Sequence, residues 1–304
     1  MKYSLVIPHF GDPWRLERLL RTVPISRDDV EVIVVDDCSP DQSTLALAKA
    51  RWPGVSWLFT PQNSGAGAAR NVGLAHAQGE YLVFADSDDE FLPGAFDFFD
   101  EHVRAGDEVV YFLADAVQEV DGSPSNRAVR MNELCQAYFV EPTEERLERL
   151  KLGHVNPIAK VYSHFFIKKI AVKFEEIPLS NDVAFNVLAA VQATNVRVAP
   201  KKVYRIFRRE GSLTVSEDVD VLLKRMETLG RLNRNLDALA ISSRMHAGGF
   251  LYRALQQGPS VFLRVVREAH LNGLLWPIYQ RVTVQEVVGF VRRHGISRKE
   301  RNNF

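Results

Sequence analysis

The first ninety residues alternate short apolar runs with stretches of helical periodicity. Apolar runs at 3–7, 30–35, 55–59 and 81–85 are each bounded by polar residues or by Pro and Gly, which is typical of strands buried on both faces. Between the runs, leucines and alanines recur three and four positions apart, as on one face of a helix. This alternation predicts an α/β fold with a doubly wound, mostly parallel sheet flanked by helices.

Acidic residues follow two of these runs directly. Asp86 and Asp88 come after the fourth run, and Asp36 and Asp37 end the second. Ligands of open α/β sheets bind at the carboxyl ends of strands, so these side chains are expected at one edge. Clustered carboxylates favour a hard divalent cation that takes its other ligands from water and phosphate. The pattern predicts a Mg²⁺ or Mn²⁺ site shared with a nucleoside diphosphate.

The same acids have a plainer interpretation, in which they only end helices and turns. Residues 86–90 would cap a helix that begins near Pro93, where the helix dipole favours negative charge. Asp37 would serve a turn, with Ser39 as the N-cap of the next helix. The local pattern leaves both interpretations open.

A glycine-rich segment, Gly65 to Arg70, opens the third predicted helix. It resembles the dinucleotide motif GxGxxG, but Arg70 stands where the third glycine belongs and the segment follows the third strand instead of the first. It is weak as a dinucleotide motif. As a group of backbone N–H donors at a helix start, with a guanidinium beside it, the segment predicts binding of an anionic ligand.

The second half continues the pattern less regularly and then becomes helical. A strand is predicted at 109–113, a hairpin or excursion at 117–129, an amphipathic helix at 143–152 and a strand at 203–207. From residue 218 onward, apolar residues recur at helical spacing. We therefore predict an α/β domain at 1–216 and a helical region at 217–304.

Composition and charge narrow the class of protein. The chain is 46% apolar and 25% charged, with 38 basic and 38 acidic residues, which predicts a soluble globular protein with no nucleic-acid partner. Two cysteines build neither a disulfide framework nor a zinc site. Without a signal sequence or an apolar run of roughly 18 residues, the expected location is the cytoplasm.

The C-terminal tail is basic and aromatic. Residues 264–301 carry eight Arg or Lys against three Glu, together with Trp276 and Tyr279. Arg with Trp and Tyr suits an anionic lipid interface, so one hypothesis places the tail at the inner face of the membrane. The alternative is an amphipathic bundle that packs on the catalytic domain or forms a homo-oligomer.

Four linked segments carry a resemblance to a known family. SLVIPHF, VVDDCSPD, NSGAGAARNVGLAHAQGEY and FADSDD occur at 4–10, 34–41, 63–81 and 84–89. Their order and spacing resemble the N-terminal half of family 2 glycosyltransferases with the GT-A fold. The resemblance implies an inverting transfer of a sugar from a nucleotide-diphosphate donor, a UDP-sugar above all, to a hydroxyl of a glycan or lipid-linked glycan. The implied process is cell-surface polysaccharide synthesis.

The resemblance also assigns roles in the first half of the chain. It implies that Pro8 lies at the edge of the nucleotide, that Asp37 holds the base and that Arg70 supports the nucleotide. Asp86 would contact the ribose or a metal-bound water. Asp88 would be the ligand of Mn²⁺ or Mg²⁺.

Further roles fall in the second half. The resemblance makes Asp182, at a predicted helix start, the catalytic base, with Asn181 in the place of the usual Glu. Contacts to the donor or acceptor sugar would come from His154, Lys160 and Asn181. A loop that closes over the diphosphate would contribute Arg205, Arg208 and Ser212. The plainer alternatives are a helix cap, a loop histidine, a solvated lysine and a basic turn.

Two other classes of function remain at this point. A nucleotide-sugar-binding protein that has lost catalysis would account for Asn181. A dinucleotide-dependent oxidoreductase fits less well, because Pro8 stands in the turn after the first strand, where the glycine motif belongs. Transfer assays with a panel of nucleotide sugars, and calorimetry with NAD, would separate the three classes.

Overall fold

The computed structural model describes residues 1–209 and 218–275. The chain divides into two compact units, residues 1–216 and 217–304. The first unit is α/β, and the described part of the second is helical. Separate roles for the two units stay a prediction.

One mixed eight-stranded sheet forms the centre of the first unit. Its order is β3-β2-β1-β4-β7-β6-β8-β5. The pairs β1–β2, β2–β3, β1–β4 and β6–β8 are parallel, whereas β7 pairs antiparallel with β4 and β6, and β5 with β8. The strands are β1 Tyr3–His9, β2 Val30–Asp36, β3 Val55–Phe59, β4 Tyr81–Phe84, β5 Glu90–Phe91, β6 Val109–Gln118, β7 Lys160–Ser163 and β8 Val196–Arg208.

Eleven α-helices lie in the described residues, eight of them in the first unit. The apolar stripes seen in the sequence form the buried faces of these helices. The helices are α1 Pro13–Leu20, α2 Gln42–Arg51, α3 Ala66–His76, α4 Ala95–His102, α5 Val129–Val140, α6 Glu144–Gly153, α7 His164–Ile170, α8 Val183–Gln192, α9 Val219–Ala238, α10 Gly248–Gln257 and α11 Pro259–Leu271.

An aromatic stack on one face of the sheet fixes the start of α8 near the end of β4. Phe185 in α8 lies parallel to Phe174, with ring centroids 3.9 Å apart. Phe84, the last residue of β4, packs edge-on against both rings at 5.1 and 5.5 Å. Phe84 and Phe185 are fully buried. Because such rings pack closely and cannot shift independently, the stack sets the position of α8 relative to the carboxyl edge of the sheet.

Two local predictions need correction. The N-cap of α2 is Asp41, whose carboxylate accepts from the backbone N–H groups of Ser43 and Thr44. Ser39 instead donates its hydroxyl to Asp36. The predicted excursion at 117–129 is shorter than expected, because its last residue already begins α5.

The described part of the second unit consists of α9, α10 and α11, as the periodicity predicts. The apolar stripe of α9 is buried, and the buried Asn233 exchanges two hydrogen bonds with the backbone of Met245, at 2.9 and 2.8 Å. Within the described residues, none of the helices is both long and apolar enough to cross a membrane. Trp276 and Tyr279, on which the membrane-surface hypothesis depends, lie outside the described residues.

Candidate active site

A turn after β4 carries the acidic cluster and is attached to β8. The backbone N–H of Asp89 donates to the carbonyl of Asp86 at 3.1 Å, and the N–H of Asp86 donates to the Tyr204 hydroxyl at 2.9 Å. The buried Asp89 carboxylate accepts from the N–H of Phe207 at 2.9 Å. Burial, with the charges of Asp86 and Asp88, raises the pKa of Asp89 well above its usual value. Asp89 therefore fastens the turn.

The interpretation of these acids as helix caps is wrong. The next helix, α4, begins at Ala95 with Gly94 as its N-cap, and no side chain caps it. Glu90 belongs to β5 and pairs with Arg205. The carboxylates of the turn are therefore not used to start a helix.

Asp86 and Asp88 form a half-buried acidic pair, of which Asp86 is bound by the Arg70 guanidinium at 2.5 Å. Burial, followed by the negative charge of Asp86, raises the pKa of Asp88. Arg209 lies 3.9 Å from the Asp88 carboxylate, too far for a hydrogen bond. Such a pair favours a cation in its neighbourhood.

The donor set fits a cation that is shared with a ligand. Within residues 1–209 and 218–275, no group of three His, Cys, Asp or Glu side chains is placed to hold a metal ion. Asp88, assisted by Asp86, would supply one or two carboxylate oxygens. Mg²⁺ and Mn²⁺ accept such a sparse set when water and phosphate complete the shell. The residues fit a metal held together with a diphosphate.

Arg70, in α3, joins this acidic pair to the start of α8. Its guanidinium donates to Asp86 Oδ1 at 2.5 Å and to Asn181 Oδ1 at 2.9 Å. The side chain is almost fully buried and lies 5.4 Å from the centroid of the Phe174 ring. A planar guanidinium can hold two acceptors in a fixed relation, which an ammonium cannot do equally well. Arg70 thus sets the distance between Asp86 and the residue preceding Asp182.

Asp182 precedes α8 but does not cap it. It occupies the N-cap position in helical conformation, and its side chain makes no capping hydrogen bond. The plain interpretation as a cap is therefore wrong. Burial raises the pKa of Asp182, Arg70 lowers it and Asp86 raises it. The residue is half-buried, and the pKa of its carboxyl responds to the charges of Arg70 and Asp86.

Asp37 is committed mainly to the loop that precedes α3. Its buried carboxylate accepts from the Thr60 hydroxyl at 2.7 Å and from the backbone N–H groups of Ser64 and Gly65 at 3.0 and 2.6 Å. These bonds use three of about four acceptor positions of a carboxylate. One position remains for a base. In the structure, the Asp37 carboxylate is therefore the anionic group that is bound at the start of the glycine-rich segment.

Gly67 has a packing role that the sequence did not indicate. A Cβ at this position would lie 2.1 Å from the carbonyl oxygen of Glu175, so any other residue would push α3 away from the segment before α8. Pro8 lies buried in β1 opposite Val35. Close packing and strand pairing account for these two residues without a ligand.

The remaining predicted residues lie in different surroundings. Arg205 pairs with Glu90 at 2.9 Å and with Asp115 at 3.5 Å, which commits its guanidinium to the sheet instead of a diphosphate. Arg208 is half-buried at the end of β8. Ser212 lies outside the described residues. The arginine beside Asp88 is Arg209, which the sequence analysis did not single out from its neighbour Arg208.

His154 and Lys160 are both buried, with 1% of each residue exposed. The His154 ring packs against Tyr111 at 5.3 Å, and burial lowers the pKa of His154 well below its usual value. The prediction that these side chains contact a sugar directly, and the alternative of a solvated lysine, both conflict with this burial. The structure places the two residues behind α8.

The chain is similar to proteins of a known family. The family described as Glycosyl transferase family 2 matches residues 4–170, more than half of the chain. The chain belongs to glycosyl transferase family 2. For this family 2 member, the resemblance seen in the four sequence segments is confirmed, and the dinucleotide-dependent oxidoreductase hypothesis is no longer supported.

Two curated relatives of this chain come from bacteria. The poly(ribitol-phosphate) beta-N-acetylglucosaminyltransferase TarS of Staphylococcus aureus is 31% identical over 224 residues, which cover 69% of this chain and 36% of TarS. The succinoglycan biosynthesis protein ExoO of Rhizobium meliloti is 28% identical over 192 residues, or 61% of this chain and 54% of ExoO. The chain therefore spans roughly a third to a half of the length of these relatives.

A solved structure confirms the fold. The crystal structure of S. aureus TarS 1-349 in complex with UDP-GlcNAc superposes with a TM-score of 0.57 at 22% identity, covering 96% of this chain and 79% of that one. The prediction of a GT-A-type sheet flanked by helices with a helical C-terminal part is confirmed at the level of the fold.

Proposed function

We propose that this protein is an inverting glycosyltransferase that moves a sugar from a UDP-sugar to a hydroxyl of a glycan or lipid-linked glycan. One observation carries the proposal. Arg70 holds Asp86 on one side and Asn181, the neighbour of Asp182, on the other. The site therefore presents two separate acidic groups, which an inverting displacement with one base and one leaving group requires.

Asp182 is the general base in this proposal. The acceptor hydroxyl attacks the anomeric carbon on the face opposite the departing diphosphate, and Asp182 takes its proton. The carboxylate must be ionised for this step. Burial opposes ionisation by raising its pKa, and Arg70 favours ionisation by lowering it. Arg70 thus favours the ionised form of the base and holds the residue that precedes it.

Asp88, assisted by Asp86, would hold a Mg²⁺ or Mn²⁺ ion together with the donor. When bound, the ion would supply positive charge for the diphosphate leaving group. Arg209, the residue after β8, lies 3.9 Å from Asp88 and would approach the same phosphates. Asp37 has one free acceptor position for the base of the nucleotide.

The relatives support the donor and the process in this proposal. A protein with the same fold was solved in complex with UDP-GlcNAc, and a relative is a beta-N-acetylglucosaminyltransferase. A β product from an α-linked sugar nucleotide requires inversion at the anomeric carbon. Relatives named for poly(ribitol-phosphate) transfer and for succinoglycan biosynthesis support a role in cell-surface polysaccharide synthesis.

A binding protein without catalysis is the second candidate, and Asn181 is the observation that favours it. The structure gives this residue a task, because its side-chain oxygen accepts from Arg70 at 2.9 Å. Because Asn181 is uncharged, it does not neutralise the Arg70 guanidinium. The positive charge of Arg70 can therefore act on Asp86 and Asp182. Asn181 is thus compatible with a working base, and we favour the enzyme.

Replacing Asp182 by Asn tests the function. We expect kcat to fall about 10²–10⁴-fold, the usual contribution of general-base catalysis, with donor binding nearly unchanged. Glu176→Gln is a matched control, because it makes the same acid-to-amide change at an exposed position of the same segment. The product anomer is determined by NMR. Full turnover of Asp182→Asn, or a product that retains the donor's configuration, would contradict the proposal.

A further inference from the structure

A buried polar cluster lies on the inner side of α8, within the apolar face of the sheet. Four polar side chains are each buried with 1% exposed, and Tyr111 is fully buried beside them; the four are Lys160, His154, Asn186 and Tyr162. A buried ammonium is costly unless its donors are satisfied. Burial lowers the pKa of Lys160 to about 7. Packing alone therefore does not explain a lysine at position 160 in the core.

The Lys160 ammonium makes two hydrogen bonds. It donates to the backbone carbonyl of His154 at 2.7 Å and to Asn186 Oδ1 at 3.0 Å. It also lies 4.8 Å from the centroid of the Tyr111 ring, within reach of a cation–π interaction. The lysine therefore ties the segment before β7 to the first turns of α8.

Asn186 passes this constraint on to Asp182. Its side-chain oxygen accepts from Lys160 and, at 2.6 Å, from the Tyr162 hydroxyl. Two donors on the oxygen determine the orientation of the amide. The amide NH₂ consequently points the other way and donates to the backbone carbonyl of Asp182 at 2.8 Å.

We infer that Lys160 and Asn186 are positioning residues for Asp182. The inference rests on the proposed role of Asp182 as the base. Because its carboxylate makes no capping bond, its place depends on how firmly its backbone is held. Lys160 fixes the Asn186 amide, and that amide holds the Asp182 carbonyl from inside the core. A shift of about 1 Å in a reacting group can cost on the order of 10² in rate.

Two variants break this chain of contacts at different links. Lys160→Met removes the ammonium at similar length, and Asn186→Asp keeps oxygens for Lys160 and Tyr162 but removes the donor to Asp182. We expect each to lower kcat about 10–100-fold with the Kd for UDP nearly unchanged, which separates a displaced base from a damaged donor site. If Lys160→Met does not fold, Lys160→Gln replaces it, because the Gln side chain keeps a polar group in the core but is one atom too short to take the place of the ammonium between its two acceptors.

Tyr111→Phe is the matched control. The Tyr111 hydroxyl is buried and has no hydrogen-bond partner among the described residues, so its loss leaves the ring beside Lys160 and breaks none of the contacts above. We expect wild-type kcat for this variant. A fall in kcat equal to that of Lys160→Met would show that any change in this core disturbs the site, and would overturn the inference.

A double-mutant cycle separates this inference from the proposed function. If Lys160 acts through Asp182, Lys160→Met should cost little further kcat in an Asp182→Asn background. An equal loss in both backgrounds would overturn the positioning role. The positioning role would also be overturned if Lys160→Met and Asn186→Asp kept wild-type kcat while Asp182→Asn was impaired. Asp182 would then act as the base without help from these two residues. Full activity of Asp182→Asn would refute the proposed base itself.

Discussion

Arg70 is the residue whose replacement tests the site most directly, because it makes contacts on both sides of the cleft. Arg70→Met removes the hydrogen bonds to Asp86 and Asn181 at 2.5 and 2.9 Å. Arg70→Lys keeps the charge but provides a single nitrogen, which cannot reach both acceptors with the same geometry. The two variants therefore separate the loss of charge from the loss of the bridge.

The expected magnitude follows from the surroundings of the two bonds. A hydrogen bond to a charged group contributes about 1.5–3 kcal/mol net. The Asp86 side chain is 37% exposed, so water replaces part of the lost bond, and the low end of this range applies. We expect Arg70→Met to weaken UDP binding by about 1.5 kcal/mol, or roughly tenfold, because Asp86 is no longer held in place.

The pH dependence of kcat gives a second and independent measurement. Arg70 lowers the pKa of Asp182, so its removal raises that pKa. A base works only when it is deprotonated. As the pH is lowered, Arg70→Met should therefore lose activity at a higher pH than the wild type does. We expect the acid limb of the kcat profile to move upward in Arg70→Met and much less in Arg70→Lys, which keeps the positive charge.

The assays are transfer rates at saturating donor across pH, and calorimetry with UDP. Thermal unfolding of each variant serves as the control for folding, since Arg70 is buried. An acid limb in Arg70→Met that coincides with that of the wild type would refute the electrostatic link to Asp182. Unchanged UDP affinity in both variants would refute the bridge.

Two further predictions concern the first half of the site. Asp88→Ala should abolish the dependence of UDP binding on Mg²⁺ or Mn²⁺ together with most of the affinity; wild-type affinity that is equal in EDTA would show that the carboxylate pair holds no cation. Asp37→Ala should lower the free energy of unfolding by about 1–3 kcal/mol in urea titrations, because the N–H groups of Ser64 and Gly65 lose their acceptor. It should also weaken UDP binding, and wild-type stability would contradict the structural role.

The carboxyl edge of the sheet could be predicted because its pattern is local. An unbroken apolar run that stops at acids reports a buried strand end, and the turn at Asp86 to Asp89 lies there. The position of Asp182 before α8 was visible in the same way, from the apolar periodicity that follows it. Such features depend on residues within one turn or one strand.

The partners of charged side chains could not be predicted, because they come from distant parts of the chain. Arg205 meets Glu90 and Asp115 only because β8 pairs with β5 on one side and with β6 on the other. The burial of Lys160 depends on β7, which enters the sheet antiparallel between β4 and β6. A lysine in an apolar run is compatible with either solvent or core until that pairing is known.

The acidic residues of the site work against the stability of the fold. The pKa values of Asp88, Asp89 and Asp182 are all raised, with burial as the main cause. A carboxyl with a raised pKa favours folding when protonated, and that contribution is lost as the pH rises through the folded-state pKa. At neutral pH the three groups therefore cost free energy.

This cost is informative about function. Residues chosen for stability alone would place amides or apolar side chains at the end of β4 and before α8. The chain keeps carboxylates at both places and holds between them one buried guanidinium, that of Arg70. Under the function proposed above, a ligand that brings a cation to Asp88 and a proton to Asp182 would compensate this charge. The acids of the site would then be complementary to its reactants.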